Sequence, residues 1–232
     1  MQASLETFSS GRFLVFTQSG PNAVVHQITP LWLPVIRRLN KLFKLQEIIM
    51  SMKDIIGDCQ AFFSLQLGRL KDVHIDISGC EISHLAYRTE TYEEYLRTRE
   101  KIERHCTSNI ENVWNGRPMS IMQLEELLVL GAGFEVRVIE LIPPVHRRIY
   151  KMGMEHFGVV IGDTVDEFSR KHRPALTGQQ FQSEECEPYY VTFYDDFTTI
   201  KFYRNSLLEI CQSQHGRSYE GFSHVENWNY IN

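Results

Sequence analysis

Between Pro34 and about Gly68 apolar side chains recur at helical spacing, from Val35, Leu39, Leu42 and Phe43 through Ile48, Ile49, Met52, Ile55 and Ile56 to Phe62, Phe63, Leu65 and Leu67. Positions three and four apart share one helix face, so the stripe predicts two helices, broken near Gly57, that each bury one side. Ahead of them, residues 1 to about 30 hold one short apolar run, Phe13 to Phe16, among Ser, Gly, Asn and Pro. That texture suits a loosely attached strand or lead-in. After residue 72 the period shortens to two. Strands are predicted at Ile82 to Arg88, Ile110 to Trp114, Met119 to Leu124, Phe134 to Ile142, His156 to Ile161, Tyr189 to Tyr194 and Thr198 to Tyr203, with helices at Thr91 to His105 and Val165 to His172.

Punctuation supports this order. Thr91 followed by Glu94 reads as a capping box, Asn115-Gly116 between two strand-like runs as a two-residue hairpin, and Pro143-Pro144 as the end of a strand. The result is a β-α-β-β-β unit followed by a second, shortened one. The acidic, Gln-rich stretch 174 to 188 is expected to be a loop replacing a strand, and the polar tail after Cys211 to pack loosely. The repeat rests on the order of elements alone.

Composition narrows the functional classes. In 232 residues, 24 Lys and Arg against 29 Asp and Glu give a net charge of −5, so no overall field draws the chain to nucleic acid or an anionic membrane. With 43% hydrophobic and 23% charged residues it is an ordinary globular sequence. The five cysteines, 59, 80, 106, 186 and 211, are odd in number and form no CxxC pair, which reads as small buried hydrophobes in a reducing compartment. With no signal-like start and no long apolar window, a cytoplasmic protein is expected.

Alternation along the strands selects the candidate chemistry. His84, Ala86 and Arg88 share one strand face, Leu85 and Tyr87 the other. Glu140 has the parity of Val136, Val138 and Ile142, so it faces an interior and needs a partner there. His156 is followed at the next same-face position by Gly158, which leaves room beside an imidazole. A lone strand histidine is usually structural, but His84, Glu140 and His156 together supply two imidazoles and a carboxylate from three strands. That set suits Zn, Fe(II), Ni or Mn with open positions. Lys201 shares a face with Thr199 and Tyr203. It either covers apolar surface with its stem, joins the same cavity, or pairs with Glu140 and leaves no place for metal. Gly131-Ala132-Gly133 reads as a turn. His105, His146 and His172 read as solvated, as does Arg117, although Arg117 could reach an anionic substrate.

Several segments together resemble the vicinal oxygen chelate superfamily: Ser83-His84-Leu85, Val138-Ile139-Glu140-Leu141, Glu155-His156-Phe157-Gly158 and Thr198-Thr199-Ile200-Lys201-Phe202. With Asn115-Gly116-Arg117-Pro118 added, they are most similar to YecM-like proteins, over about residues 55 to 212. The resemblance implies an α+β fold of paired βαβββ modules whose curled mixed sheet surrounds a cavity, preceded by an N-terminal helical extension. Residues 1–54 would be the extension, 55–212 the domain and 213–232 a tail. It also implies metal ligands at His84, Glu140 and His156. The superfamily's fourth ligand, a glutamate on the last strand, falls on Lys201, a departure from the known enzymes that YecM-like proteins share.

Two functions follow. One is a divalent-metal centre acting on a small oxygen-rich substrate by isomerase, lyase or oxygenase chemistry, with Lys201, Tyr203 and Arg88 orienting the substrate or moving a proton. The other is a metal-free ligand-binding or interaction module in which Glu140 and Lys201 neutralise each other. The apolar faces of the N-terminal helices suit a homodimer.

Overall fold

The computed structural model describes residues 2–8, 11–17, 50–114, 116–144, 150–215, 219–225 and 228. The chain divides into two compact units, residues 1–46 and 47–232. In the first, β1 (Gln2–Phe8) and β2 (Gly11–Thr17) form an antiparallel hairpin. The part of the predicted helical stripe from Pro34 to residue 49 lies outside the described residues.

The second unit opens with α1 (Met52–Ile56) and α2 (Cys59–Asp72). Ser51 caps α1 with a reciprocal Ser51/Asp54 box, and Asp58 caps α2 by accepting from the Ala61 N–H. Between them Gly57 takes φ 91°, which stops the first helix where the sequence predicts the break.

Two β-α-β-β-β modules follow. The first is β3 (Glu81–Arg88), α3 (Tyr92–Glu103), β4 (Cys106–Trp114), β5 (Arg117–Gly131) and β6 (Phe134–Ile142). The second is β7 (Gly153–Val160), α4 (Val165–Lys171), β8 (Gly178–Gln179), β9 (Tyr189–Phe193) and β10 (Thr198–Tyr203). Then come α5 (Leu207–His215) and β11 (Gly221–Ser223). The nine strands β3 to β11 form one curled, mixed sheet in the order β11-β4-β5-β6-β3-β7-β10-β9-β8. Within each module the first and fourth strands are parallel, and the modules meet where β3 runs antiparallel to β7. This is the expected α+β fold of paired βαβββ modules.

Strand parity sorts the side chains onto two faces. Leu85, Leu141, Phe157, Ile200 and Phe202 point to the helices, where they pack with Phe63 and Leu70 of α2 and Tyr95 and Ile102 of α3. The other face holds His84, Glu140 and His156, with Ile121, Val138, Leu207, Cys211 and Tyr219 as one apolar cluster beside them. Arg69 of α2 braces the β9–β10 turn, bonding Asp196 at 2.9 Å and Asp195 at 2.5 Å.

Three expectations need correction. The stretch 174 to 188 is not only a loop: it contains β8, so the second module is stunted but complete. Its strand is short, and a side chain at Gly178 would collide with the Tyr190 ring. Secondly, helix α5 occupies the region expected to end the fold. Its signal was present, since Leu207, Ile210 and Cys211 are spaced three and four apart and are buried. Thirdly, the described part of the tail is anchored. β11 pairs with β4, which would otherwise be the sheet edge, Tyr219 is buried, and the Val225 N–H donates to Glu111. An edge strand offers unpaired backbone groups, which β11 covers.

All five cysteines are free, and three of them, Cys59, Cys186 and Cys211, are buried. Among the described residues no helix is long and apolar enough to cross a membrane.

Candidate metal centre

Register explains how three distant segments meet. Glu140 on β6 stands opposite Ala86 on β3, and Ala86 stands opposite His156 on β7. The small Ala86 side chain lets the carboxylate and the imidazole on either side lean together. His84 stands opposite Gly158. A Cβ at Gly158 would lie 2.8 Å from His84 Nδ1 and 2.9 Å from Tyr203 Cε2, so the glycine makes room for a ring across the strand pair. The sequence reading anticipated that space, but beside His156 rather than over His84.

The donor atoms converge. His156 Nε2 lies 3.0 Å and His84 Nε2 3.6 Å from Glu140 Oε2, and the two Nε2 atoms are 3.4 Å apart. Donors held about 2.1 Å from one ion are about 3.0 Å apart at right angles and about 3.4 Å apart at the tetrahedral angle. All three residues are buried, and Glu140 Oε2 is itself a buried atom between the two rings. Burial pushes the His84 imidazole down to about 3, against the pull of Glu140, so this ring is neutral. Burial alone would raise Glu140, but the imidazoles and the Lys201 charge outweigh it and hold the carboxyl well below its ordinary range. A carboxylate oxygen and two ring nitrogens therefore share one buried space, the donor set that a divalent cation takes.

The outer nitrogens are held as well. His84 Nδ1 lies 2.9 Å from Ser83 Oγ, which accepts the Leu207 N–H at the start of α5 at 2.8 Å. His156 Nδ1 donates to Glu155 Oε1 at 3.3 Å, and Glu155 is gripped by both Nε and Nη2 of Arg88. Burial would raise the Glu155 carboxyl, but His156 and Arg88 bring it down to about 2. A carboxylate only accepts, so with an ion at Nε2 Glu155 would hold the His156 proton on Nδ1.

Both orienting residues sit at β-bulges. Pairing steps from Ile82 to His84 on β3, leaving Ser83 extra, and from His156 to Met154 on β7, leaving Glu155 extra. A bulge interrupts the alternation and re-aims a side chain. Each one turns the residue preceding a histidine toward that histidine. Strict period-two reading puts Ser83 and Glu155 on the opposite face, which is why the sequence did not reveal them.

The remaining sequence candidates are placed as follows. Arg88 is buried in its ion pair with Glu155, donates to the Pro143 carbonyl and stacks over Tyr150, so it reaches the centre through His156. Tyr203 packs edge-on against His84 with ring centroids 5.4 Å apart, and burial raises its hydroxyl well above the ordinary value. Lys201 stands opposite Gly158, two residues past His156, as Glu140 stands opposite Ala86, two residues past His84. It is thus the second module's counterpart of Glu140. No Lys201–Glu140 ion pair occurs within 4.0 Å among the described residues: the carboxylate leans to the imidazoles instead. His105 and His172 stand apart from the centre, and His146 lies outside the described residues.

One solved structure shares this architecture. A solved structural-genomics protein, EC4020, is 24% identical and superposes with a TM-score of 0.59 over 70% of this chain and 92% of its own. FosX, a fosfomycin resistance protein from Listeria monocytogenes, gives 14% identity and a TM-score of 0.23 over 60% of this chain and all of its own. That structure is of a variant complexed with Mn(II) and 1S,2S-dihydroxypropylphosphonic acid. No curated protein matches the sequence. The sequence model of the YecM protein family matches residues 51–193, more than half of the chain and all three converging side chains. The chain belongs to the YecM family.

Proposed function

We propose that this protein binds a divalent metal ion through His84, Glu140 and His156 and uses the ion to engage two neighbouring oxygens of a small ligand. Glu140 Oε2 supports this reading most strongly, being buried and 3.0 and 3.6 Å from two imidazole nitrogens. Two imidazoles and one carboxylate suit Zn, Fe(II), Ni or Mn and leave coordination positions open. When bound, the ion would polarise ligand oxygens and stabilise developing negative charge.

The chain's own groups do the rest. Glu155 and Arg88 hold His156 in the ligating tautomer, and Ser83 fixes the His84 ring. Tyr203 closes the wall beside His84 and excludes water. Lys201 places a positive charge where the two-fold relation of the modules would place a second acid. This arrangement fits a metal-dependent enzyme that stabilises an enolate or oxyanion from a small oxygen-rich substrate.

Metal analysis of untagged protein, reloaded after chelation, tests the proposal. About one ion per chain is expected, lost in His84→Ala and His156→Ala with the circular dichroism of the wild type retained. Metal bound equally by both variants would overturn the ligand set.

A further inference from the structure

Arg117 begins β5, and Arg117, Met119 and Ile121 share one strand face; Ile121 stands opposite Glu140. Arg117 is therefore on the sheet face that carries the metal ligands. Its surroundings form one rim of that face, where β3 ends at Arg88, β6 ends at Ile142 and β7 begins at Gly153. The side chain is only partly exposed, yet its Nε is buried without a hydrogen-bond partner, and among the described residues no carboxylate pairs with it. Burial and the neighbouring Arg88 both act against its charge.

A guanidinium held partly out of water without an acceptor is costly, because its fork of donors is built for two oxygens at once. The neighbouring acids are already taken. Glu155 is bound by Arg88, and Glu140 faces the imidazoles. Lys201, on the same face opposite Gly158, also lacks an ion pair among the described residues. Among the described residues, the cations Arg88, Arg117 and Lys201 outnumber the carboxylates Glu140 and Glu155 on this face even before a divalent ion adds its own charge, and the imbalance calls for an anion.

We propose that the ligand of this centre carries an oxyanion, a carboxylate or a phosphate-type group, and that Arg117 is the residue that receives it. The inference rests on the metal-centre reading for where the rest of the ligand lies, and extends it by naming the charge class of that ligand. Its neutral oxygens would meet the ion while its anionic end meets the guanidinium at the rim.

Calorimetric titration of the metal-loaded protein with inorganic phosphate, and separately with acetate, tests the proposal. Saturable binding of one or both is expected, and the preferred one assigns a tetrahedral or a planar anion. Arg117→Met is expected to weaken it about tenfold or more at unchanged metal content, with Arg117→Lys in between, because lysine keeps the charge and loses the fork. If Arg117→Met does not fold by circular dichroism, Arg117→Gln carries the same expectation. No saturable binding by the wild type, or equal binding by the neutral variants, overturns the proposal. The same titrations on His156→Ala separate the two readings. Binding that still depends on Arg117 in protein shown to lack metal supports the anion site alone.

Discussion

His84 and His156 bring their Nε2 atoms to 3.4 Å of one another, each with its Nδ1 facing the residue that precedes it. Ser83 and Glu155 are the extra residues of two bulges, one in the first strand of each module. The two-fold relation between modules thus builds one centre from two copies of a histidine and its orienting neighbour. The halves differ in chemistry, a neutral hydroxyl on one side and a carboxylate braced by arginine on the other.

The Glu155 side makes a prediction. Arg88→Met leaves a buried carboxylate without its cation and is expected to cost about 3–5 kcal/mol of stability by chemical denaturation. Adding Glu155→Gln removes that charge, so the double variant should recover part of the loss. Metal affinity should nonetheless stay about 10–100-fold below wild type, because His156 is no longer oriented. A double variant no more stable than Arg88→Met would show that the ion pair is not the source of the loss.

On the other side, Ser83→Ala removes the acceptor of the Leu207 N–H, a buried donor at the start of α5. The expected cost is about 1–3 kcal/mol. Because the same oxygen holds His84, metal affinity should fall with it. Unchanged metal binding in a destabilised variant would separate the helix contact from the centre.

Gly158→Ala tests the close approach of β7 and the His84 ring. The added methyl would lie 2.5–2.9 Å from the His84 and Tyr203 rings, closer than a side chain tolerates, so the rings must shift. A loss of about 1–3 kcal/mol in thermal or chemical denaturation is expected, together with reduced metal content. Wild-type stability would mean that the ring does not lie over the glycine.

Acid sensitivity has a further source beside the depressed Glu140 and Glu155 carboxyls. Burial would raise the Glu111 carboxyl, but the Tyr95 hydroxyl, Arg99 and the Val225 N–H bond it and hold it below its ordinary value of 4.5. A depressed carboxyl stabilises the fold above its unfolded value, and this contribution is lost as pH falls through the lower folded value. Stability should therefore decline as pH drops below about 4.5. Glu111→Gln should be less stable at neutral pH and show a shallower acid decline. An unchanged acid slope would assign the sensitivity to other groups.

Much of this was legible in the sequence because strand alternation is a direct read of side-chain direction. Phe134–Ile142 and Thr198–Tyr203 have the predicted bounds, and the parity of Glu140 with Val138 and Ile142 placed it on the inner face. The bulges were not legible, since each shifts a single residue out of phase and leaves no compositional mark. Ser83 and Glu155 were therefore missed as orienting residues, and Arg88, expected to orient a substrate or move a proton, is held by Glu155. The strand β8 was hidden because two residues give no alternation to read. The pairing of Lys201 with Glu140 was open in the sequence, and register decided it by setting the lysine opposite Gly158 and the acid opposite Ala86.

The central claim, that three strands give their donors to one ion, is tested most directly by X-ray absorption at the edge of the bound metal in reloaded protein. The expected first shell contains two imidazole nitrogens and a carboxylate oxygen at about 2.0–2.2 Å, completed by water and free of sulfur. Replacing His84 by Ala should remove one imidazole. A sulfur-containing shell, or a spectrum indifferent to His84 and His156, would contradict the account.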